Sequence, residues 1–218
     1  MNNVIIFGTT QFAELLYHYL SSNPDYNVCG FTVDQEFCTT SHYCNLPLIP
    51  FEEIENKFDP ENYGMFICVG YTKMNSIRAS RFEEAKRKGY KIMSYAHESA
   101  TILTEDFGEG NIIMENVTIG AFSSIGNGNI FYPNAHVAHH TTIGNYNFFT
   151  ISVAIAGNII IGNNCFFGNN CTIKNNISIA DYTLVGAAAY VSANTAAYSV
   201  YVPPRSICLI NKKSTDLI

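Results

Sequence analysis

The sequence predicts an α/β plus all-β chain, a small parallel α/β domain followed by a parallel β-helix, and three observations carry that prediction. From Phe107 to Val191 a bulky apolar residue recurs at every sixth position, fifteen times in one unbroken phase. The first hundred residues instead alternate short apolar strands with helical segments. Of the 218 residues, 47% are hydrophobic and 14% charged, which is enough apolar side chain for two real cores.

The N-terminal part is read element by element. Val4–Gly8 is a buried strand, and Gln11 to Leu20 a helix with Phe12, Leu15, Leu16 and Leu20 on one side. Val28–Thr32 is a second strand leading to Asp34. Residues 36–50 are rich in turn formers, and a short helix is expected near Phe51–Phe58. Met65–Gly70 is a third strand, Asn75–Lys88 a charged helix, and Tyr90–Tyr95 a fourth strand. Such alternation implies a parallel sheet, whose ligands bind at the carboxyl ends of the strands. Those ends carry Gly8, Thr9 and Gln11, then Asp34, then Gly70 and Tyr71. A single glycine in the first turn falls short of the three that a dinucleotide fingerprint needs. A mononucleotide at the start of the first helix fits better, with Asp34 as a base or ribose contact.

The period of six governs the rest. No helix has that period, and a β-sandwich would alternate in twos and turn irregularly. The residue after each apolar hit is mostly small (Gly120, Gly126, Gly144, Gly162), and four residues on comes a small or β-branched one such as Val117, Thr141 or Cys165. The two places between are mostly polar, with Asn163–Asn164, Asn169–Asn170 and Asn175–Asn176 as examples. Glycine and asparagine tolerate the positive φ of sharp corners, and β-branched residues suit short strands. Six-residue units, three to a coil, close a triangular parallel β-helix of eighteen residues per coil. Stacked at roughly 4.8 Å, about five coils rise on the order of 24 Å. The boundary is expected at residue 98, giving domains 1–98 and 99–218.

Composition excludes several classes. A net charge of −6 argues against a nucleic-acid or anionic-membrane surface. No stretch approaches a membrane span. Met1–Gly8 lacks a basic start, and Val4–Phe7 is too short an apolar run for a secretory leader. Seven cysteines without a C-x-x-C read as reduced thiols, so a cytoplasmic location is expected. Cys165 and Cys171 fall at inward places and read as core.

Three of the six histidines, His136, His139 and His140, lie within five residues. Eighteen residues after His139, and therefore directly above it, is Gly157. A zinc site would use imidazole ligands, but His136 and His140 are separated by three residues, not the four of a His-x-x-x-x-His pair, and no histidine occurs between His97 and His136. No metal is expected.

The pattern [LIV]-[GAED]-x-x-[STAV]-x resembles the left-handed β-helix of hexapeptide-repeat acyltransferases. Behind a Rossmann-like α/β domain, it is similar over essentially the whole chain to bacterial sugar-nucleotide N-acyltransferases of surface-glycan (O-antigen) biosynthesis. The segment Ala135–Gly144 resembles that family's catalytic stretch, a histidine followed by an acidic residue and x-x-Ile-Gly. The resemblance implies His139 as general base, with His140 standing where the acid is expected. It implies an acetyl-CoA co-substrate, with the amide of Gly157 or Asn158 at the thioester and Ala187 and Ala188 along the pantetheine. Tyr201–Arg205 resembles the Gly-x-Pro-Ala-Lys segment that closes such helices, which puts Pro203 and Arg205 against CoA. Asn134 and His136 are implied substrate contacts, and the acceptor is a dTDP-, UDP- or GDP-linked amino sugar. A homotrimer is expected, because CoA lies between neighbouring prisms and because Phe122, Tyr146 and Ile151 fall at outward places. Imidazole, ordinarily titrating near pH 6.5, is largely neutral at cytoplasmic pH and suits proton abstraction from an attacking amine. An O-acetyltransferase with the same base, or a non-catalytic trimer, are the alternatives. His140 for the acid and Phe148 for a polar residue keep the latter open.

Overall fold

The computed structural model describes residues 1–208, 210, 213 and 215; the remaining C-terminal positions of the expected 99–218 domain lie outside the described residues. The N-terminal sheet contains β1 (Asn2–Phe7), β2 (Tyr26–Val33), β3 (His42–Tyr43), β4 (Leu46–Pro50), β5 (Gly64–Ile67) and β6 (Lys91–Ile92), in the order β3-β4-β2-β1-β5-β6. Helices α1 (Gln11–Ser21) and α2 (Ser76–Arg87) connect β1 to β2 and β5 to β6. All pairings are parallel except β3 with β4. The strand order reverses between β1 and β5, which makes their carboxyl ends the natural ligand crevice.

Two parts of this sheet differ from expectation. Residues 36–50 are not merely turns: β3 and β4 form a hairpin through Cys44 and Asn45, both at positive φ (47° and 62°), and β4 extends the sheet beside β2. Pro47 and Pro50 hide this strand in the sequence, since proline is confined to edges and strand ends. The stretch Tyr90–Tyr95 is not one strand. Lys91–Ile92 pairs with β5, whereas Tyr95–Ala96 already pairs with Ile112–Ile113 of the β-helix.

From Tyr95 onward the chain winds a three-sided parallel β-helix. Its first face includes Ile112–Ile113, Ile130–Phe131, Phe148–Phe149 and Phe166–Phe167; its second includes Thr118–Ile119, His136–Val137 and Ala154–Ile155; its third includes Ser124–Ile125, Thr142–Ile143 and Ile160–Ile161. Strands pair at eighteen-residue register, Phe131 with Phe149 and Phe149 with Phe167. Every sixth residue from Gly110 to Ala188 takes a positive φ of 55–66°, so the backbone repeats the corner that the sequence repeats in side chains. Even Phe122, His140, Tyr146 and Tyr182 occupy it. Inside, Phe131, Phe149 and Phe167 stack with ring centroids 4.6 and 4.7 Å apart, the spacing of the strands that carry them.

One corner is held by side-chain amides. Asn111, Asn129 and Asn147 are fully buried. Each carboxamide oxygen accepts the backbone N–H one coil on, of Asn129, Asn147 and Cys165, at 2.7–2.9 Å. Outside them the side-chain oxygens of Asn127, Asn145, Asn163 and Asp181 accept in the opposite sense, from the backbone N–H one coil back, of Glu109, Asn127, Asn145 and Asn163. These bonds satisfy corner groups that water would otherwise have to reach.

The α/β domain packs on the first face. Ile112, Ile130 and Phe148 point outward from that face yet are buried against Phe12, Leu16, Phe66 and Cys68. Phe148 is therefore interface packing and bears no relation to the His139 corner. Tyr146 likewise is not part of an open apolar side, because Phe82 of α2 covers it at 5.4 Å and its hydroxyl donates to Glu83. Phe122 (77% exposed) and Ile151 (45%) do remain open, as does Ile160. Cys165 and Cys171 sit in the core, where burial pushes both thiols up to about 12.

Candidate active site

His139 and His140 occupy the corner between the second and third faces. His140 has φ 56°, and this left-handed turn brings its ring across to its neighbour. The two Nδ1 atoms lie 3.0 Å apart with the rings nearly perpendicular. One must donate and the other accept, since each neutral imidazole has one of each kind of nitrogen. If His139 donates from Nδ1, its Nε2 carries the free lone pair. On its other side His140 rests on Phe122, centroids 4.8 Å apart. Both histidines are exposed.

Gly157 lies one coil above His139 and closes over its ring. A Cβ there would meet His139 Cε1 at 2.8 Å and Nε2 at 3.1 Å. The Gly157 N–H has no acceptor among the described residues, whereas the Asn158 N–H donates to the His139 carbonyl at 3.1 Å. Of the two amides expected at a thioester, only that of Gly157 is open. Cysteine, aspartate, glutamate and histidine form no group of three suited to a metal among the described residues.

The other expected residues sit elsewhere on the chain. His136 is exposed on the second face, paired in register with Thr118 and Ala154. Asn134, Ala187 and Ala188 lie at the corner between the first and second faces, a different edge of the prism. Pro203 and the exposed Arg205 follow the last strand, Val200–Tyr201, which pairs with Leu184–Val185. Within one chain these residues do not converge on His139.

The crevice at the carboxyl ends of β1, β2 and β5 gathers Gly8, Thr9, Gln11, Asp34, Gly70 and Tyr71. Gly8 has φ 128°, and a Cβ there would strike the Cys68 carbonyl oxygen at 2.6 Å, so the two strands need glycine to lie this close. No side chain caps the start of α1. Asp34 is already engaged: Arg81 Nε and Nη2 approach its two oxygens at 2.9 and 3.1 Å. Burial raises the Asp34 pKa in spite of that arginine. Tyr71 stands 57% exposed beside Phe148 and Phe166. Tyr132, from the β-helix, packs on Phe12, and burial with the nearby Cys68 and Tyr71 pushes its phenol up to about 12.

Sequence reasoning missed Arg81, Tyr132 and the buried Arg78. Arg81 was legible only as one charge on a charged helix. The covered face did leave a signal: the residue before each apolar hit is Ile112, Ile130, Phe148, Phe166 and Leu184 at every third hexad, and these recur at eighteen residues. A groove of about 500 Å³ lined by His18, Tyr19, Asp25, Tyr95 and His97 includes neither His139 nor any residue of the crevice.

No family model matches the chain, and no curated protein matches it by sequence. Solved structures do match in fold. The acetyltransferase domain of PglB from Neisseria gonorrhoeae FA1090 aligns with a TM-score of 0.81 at 19% identity, covering 94% of this chain and 100% of that one. PerB from Caulobacter crescentus, solved with CoA and GDP-perosamine, aligns at 0.80 and 21% identity over 92% and 93%. WeeI from Acinetobacter baumannii AYE aligns at 0.61 and 16% over 92% and 96%. Both parts of the chain, α/β domain and β-helix in that order, thus share one fold with the PglB acetyltransferase domain and PerB.

Proposed function

We propose that the chain is an acetyl-CoA-dependent N-acetyltransferase acting on the amine of a nucleotide-linked amino-deoxysugar, in the cytoplasm and in surface-glycan biosynthesis. The observation that carries the reading is the His139 imidazole lying under Gly157, whose amide has no acceptor among the described residues. PerB, of the same fold, was solved with CoA and GDP-perosamine, and the PglB domain with acetyl-CoA. Both ligands match the two chemistries the site requires.

The amine nitrogen attacks the thioester carbonyl carbon, and its proton passes to His139 Nε2. The carbonyl electron pair moves onto oxygen, where the Gly157 N–H stabilises it. Collapse re-forms the carbonyl and breaks the C–S bond, and the imidazolium returns its proton to the leaving thiolate. Amide and free CoA are the products. His140 accepts from His139 Nδ1–H and so keeps Nε2 as the basic nitrogen, doing with a neutral ring what the family's acid does with a charge. The β-helix is left-handed and assembles as a trimer. A groove between neighbouring prisms brings the Ala187, Ala188, Pro203 and Arg205 edge of one subunit to the His139 corner of the next. There Asn134 and His136 contact the sugar.

The test is CoA release from acetyl-CoA with dTDP-, UDP- and GDP-linked amino sugars and their hydroxyl counterparts, with products read by mass spectrometry. Mass gain on an amine, lost about 10²–10⁴-fold in His139→Ala, is expected. Acetylation of the hydroxyl sugars alone would make it an O-acetyltransferase. Equal background release by wild type and His139→Ala would leave only a non-catalytic trimer.

A further inference from the structure

Arg78 is fully buried where the two domains meet, yet no carboxylate among the described residues pairs with it. Its Nε donates to the Gly128 carbonyl at 3.0 Å, and one terminal nitrogen to the Tyr146 and Asn147 carbonyls at 2.8 and 3.1 Å. The other terminal nitrogen donates to the Val69 and Gly70 carbonyls at 3.2 and 2.8 Å and to Asn75 Oδ1 at 3.1 Å. The guanidinium thus ties two successive coils of the β-helix to the segment that leaves β5.

That segment is strained. Lys73, Met74 and Asn75 all take positive φ (50°, 51° and 64°), although none is glycine. Such strain persists only where the surroundings over-determine it, and it clusters at ligand sites. Here the surroundings are the β-helix. Asn75 Nδ2 donates to the Cys165 carbonyl at 3.0 Å, and Asn164 Nδ2 to the Met74 carbonyl at 3.2 Å.

The direction of the restraint matters. In a trans peptide the C=O and the following N–H point opposite ways. With the Val69 and Gly70 carbonyls drawn to Arg78, the N–H groups of Gly70 and Tyr71 face away from it. Neither has an acceptor among the described residues. A Cβ on Gly70 would meet nothing within 4 Å, so the space beside this backbone is open. Adjacent backbone amides aimed at open space bind anions.

We propose that Arg78 and Asn75 are positioning residues for a diphosphate site, in which the Gly70 and Tyr71 amides, at the carboxyl end of β5, receive the diphosphate of the sugar nucleotide. The inference rests on the reading of the chain as a sugar-nucleotide acetyltransferase. It gives the β-helix a part in substrate binding as well as in catalysis.

Calorimetric titration of UDP, dTDP and GDP into the full-length protein tests it, alongside steady-state kinetics. Gly70→Ala carries the decision, since its methyl group enters open space and its melting temperature is expected to match wild type. It should weaken nucleoside diphosphate binding about tenfold or more and raise the sugar-nucleotide KM in step, with the acetyl-CoA KM unchanged. Arg78→Lys should split KM the same way, because an ammonium cannot hold both carbonyls and the β-helix together. His139→Ala should bind the diphosphate as wild type does. Acetyl transfer with an unaltered sugar-nucleotide KM in Gly70→Ala overturns the site and leaves the acetyltransferase reading standing. Diphosphate binding that Gly70→Ala abolishes, in a protein that transfers no acetyl group, supports the site and removes the acetyltransferase. Failure of all three diphosphates to bind wild type overturns the site.

Discussion

Gly157 lies over the ring of His139, so close that a methyl group on it would come within 2.8 Å of Cε1 and 3.1 Å of Nε2. Glycine at 157 therefore sets the position of the imidazole. Gly157→Ala is expected to push the ring outward and lower kcat about 10²-fold, the scale of an ångström's misplacement of a reacting group. The fold should hold, because the corner's positive φ belongs to Asn158. Steady-state kinetics with a thermal melt would check this; unchanged kcat refutes the contact.

His140 offers a second handle. His140→Asp puts a carboxylate beside His139 Nδ1, which favours the charged imidazole and raises its pKa. A base with a raised pKa is protonated at higher pH, so the acid limb of the kcat/KM profile should move up by about one pH unit. His140→Asn supplies an uncharged acceptor and should leave the limb in place. His140→Ala should lower the rate without that displacement. A profile identical in all three variants would show that His140 does not orient the base.

The amide ladder predicts where the solenoid is brittle. Asn147→Ala removes the acceptor of the buried Cys165 N–H and the donor to the Gly162 carbonyl. Stranded groups of this kind cost about 1–3 kcal/mol each. Chemical unfolding at fixed protein concentration should register a loss of roughly that size or twice it. A change below about 0.5 kcal/mol would mean that water replaces the side chain.

Phe122 stands exposed beside the His139–His140 corner and touches His140. Phe122→Asp should dissociate the proposed trimer, and activity should fall with it. Light scattering coupled to gel filtration reads the mass. A wild-type monomer that is fully active would remove the intersubunit groove.

Much of this could be read in the residues themselves. The hexad placed every inward side chain from Phe107 to Val191, because one step in period six would turn a core residue outward. It also placed Gly157 above His139, since eighteen residues make a coil. The prolines of Leu46–Pro50 disguise it as a strand, and Tyr95 joins the β-helix rather than the strand Tyr90–Tyr95 because a two-residue pairing carries no periodic signal of its own. Phe148 read as a lost polar residue until the packing of the α/β domain on the first face accounted for it.

The sequence by itself determined the solenoid and its corners, because a repeat fixes each residue's surroundings through neighbours a set distance along the chain. Only the tertiary structure decided how the two domains lock. The Arg78 contacts join residues fifty to sixty-nine positions apart through backbone carbonyls, and a carbonyl looks the same at every residue.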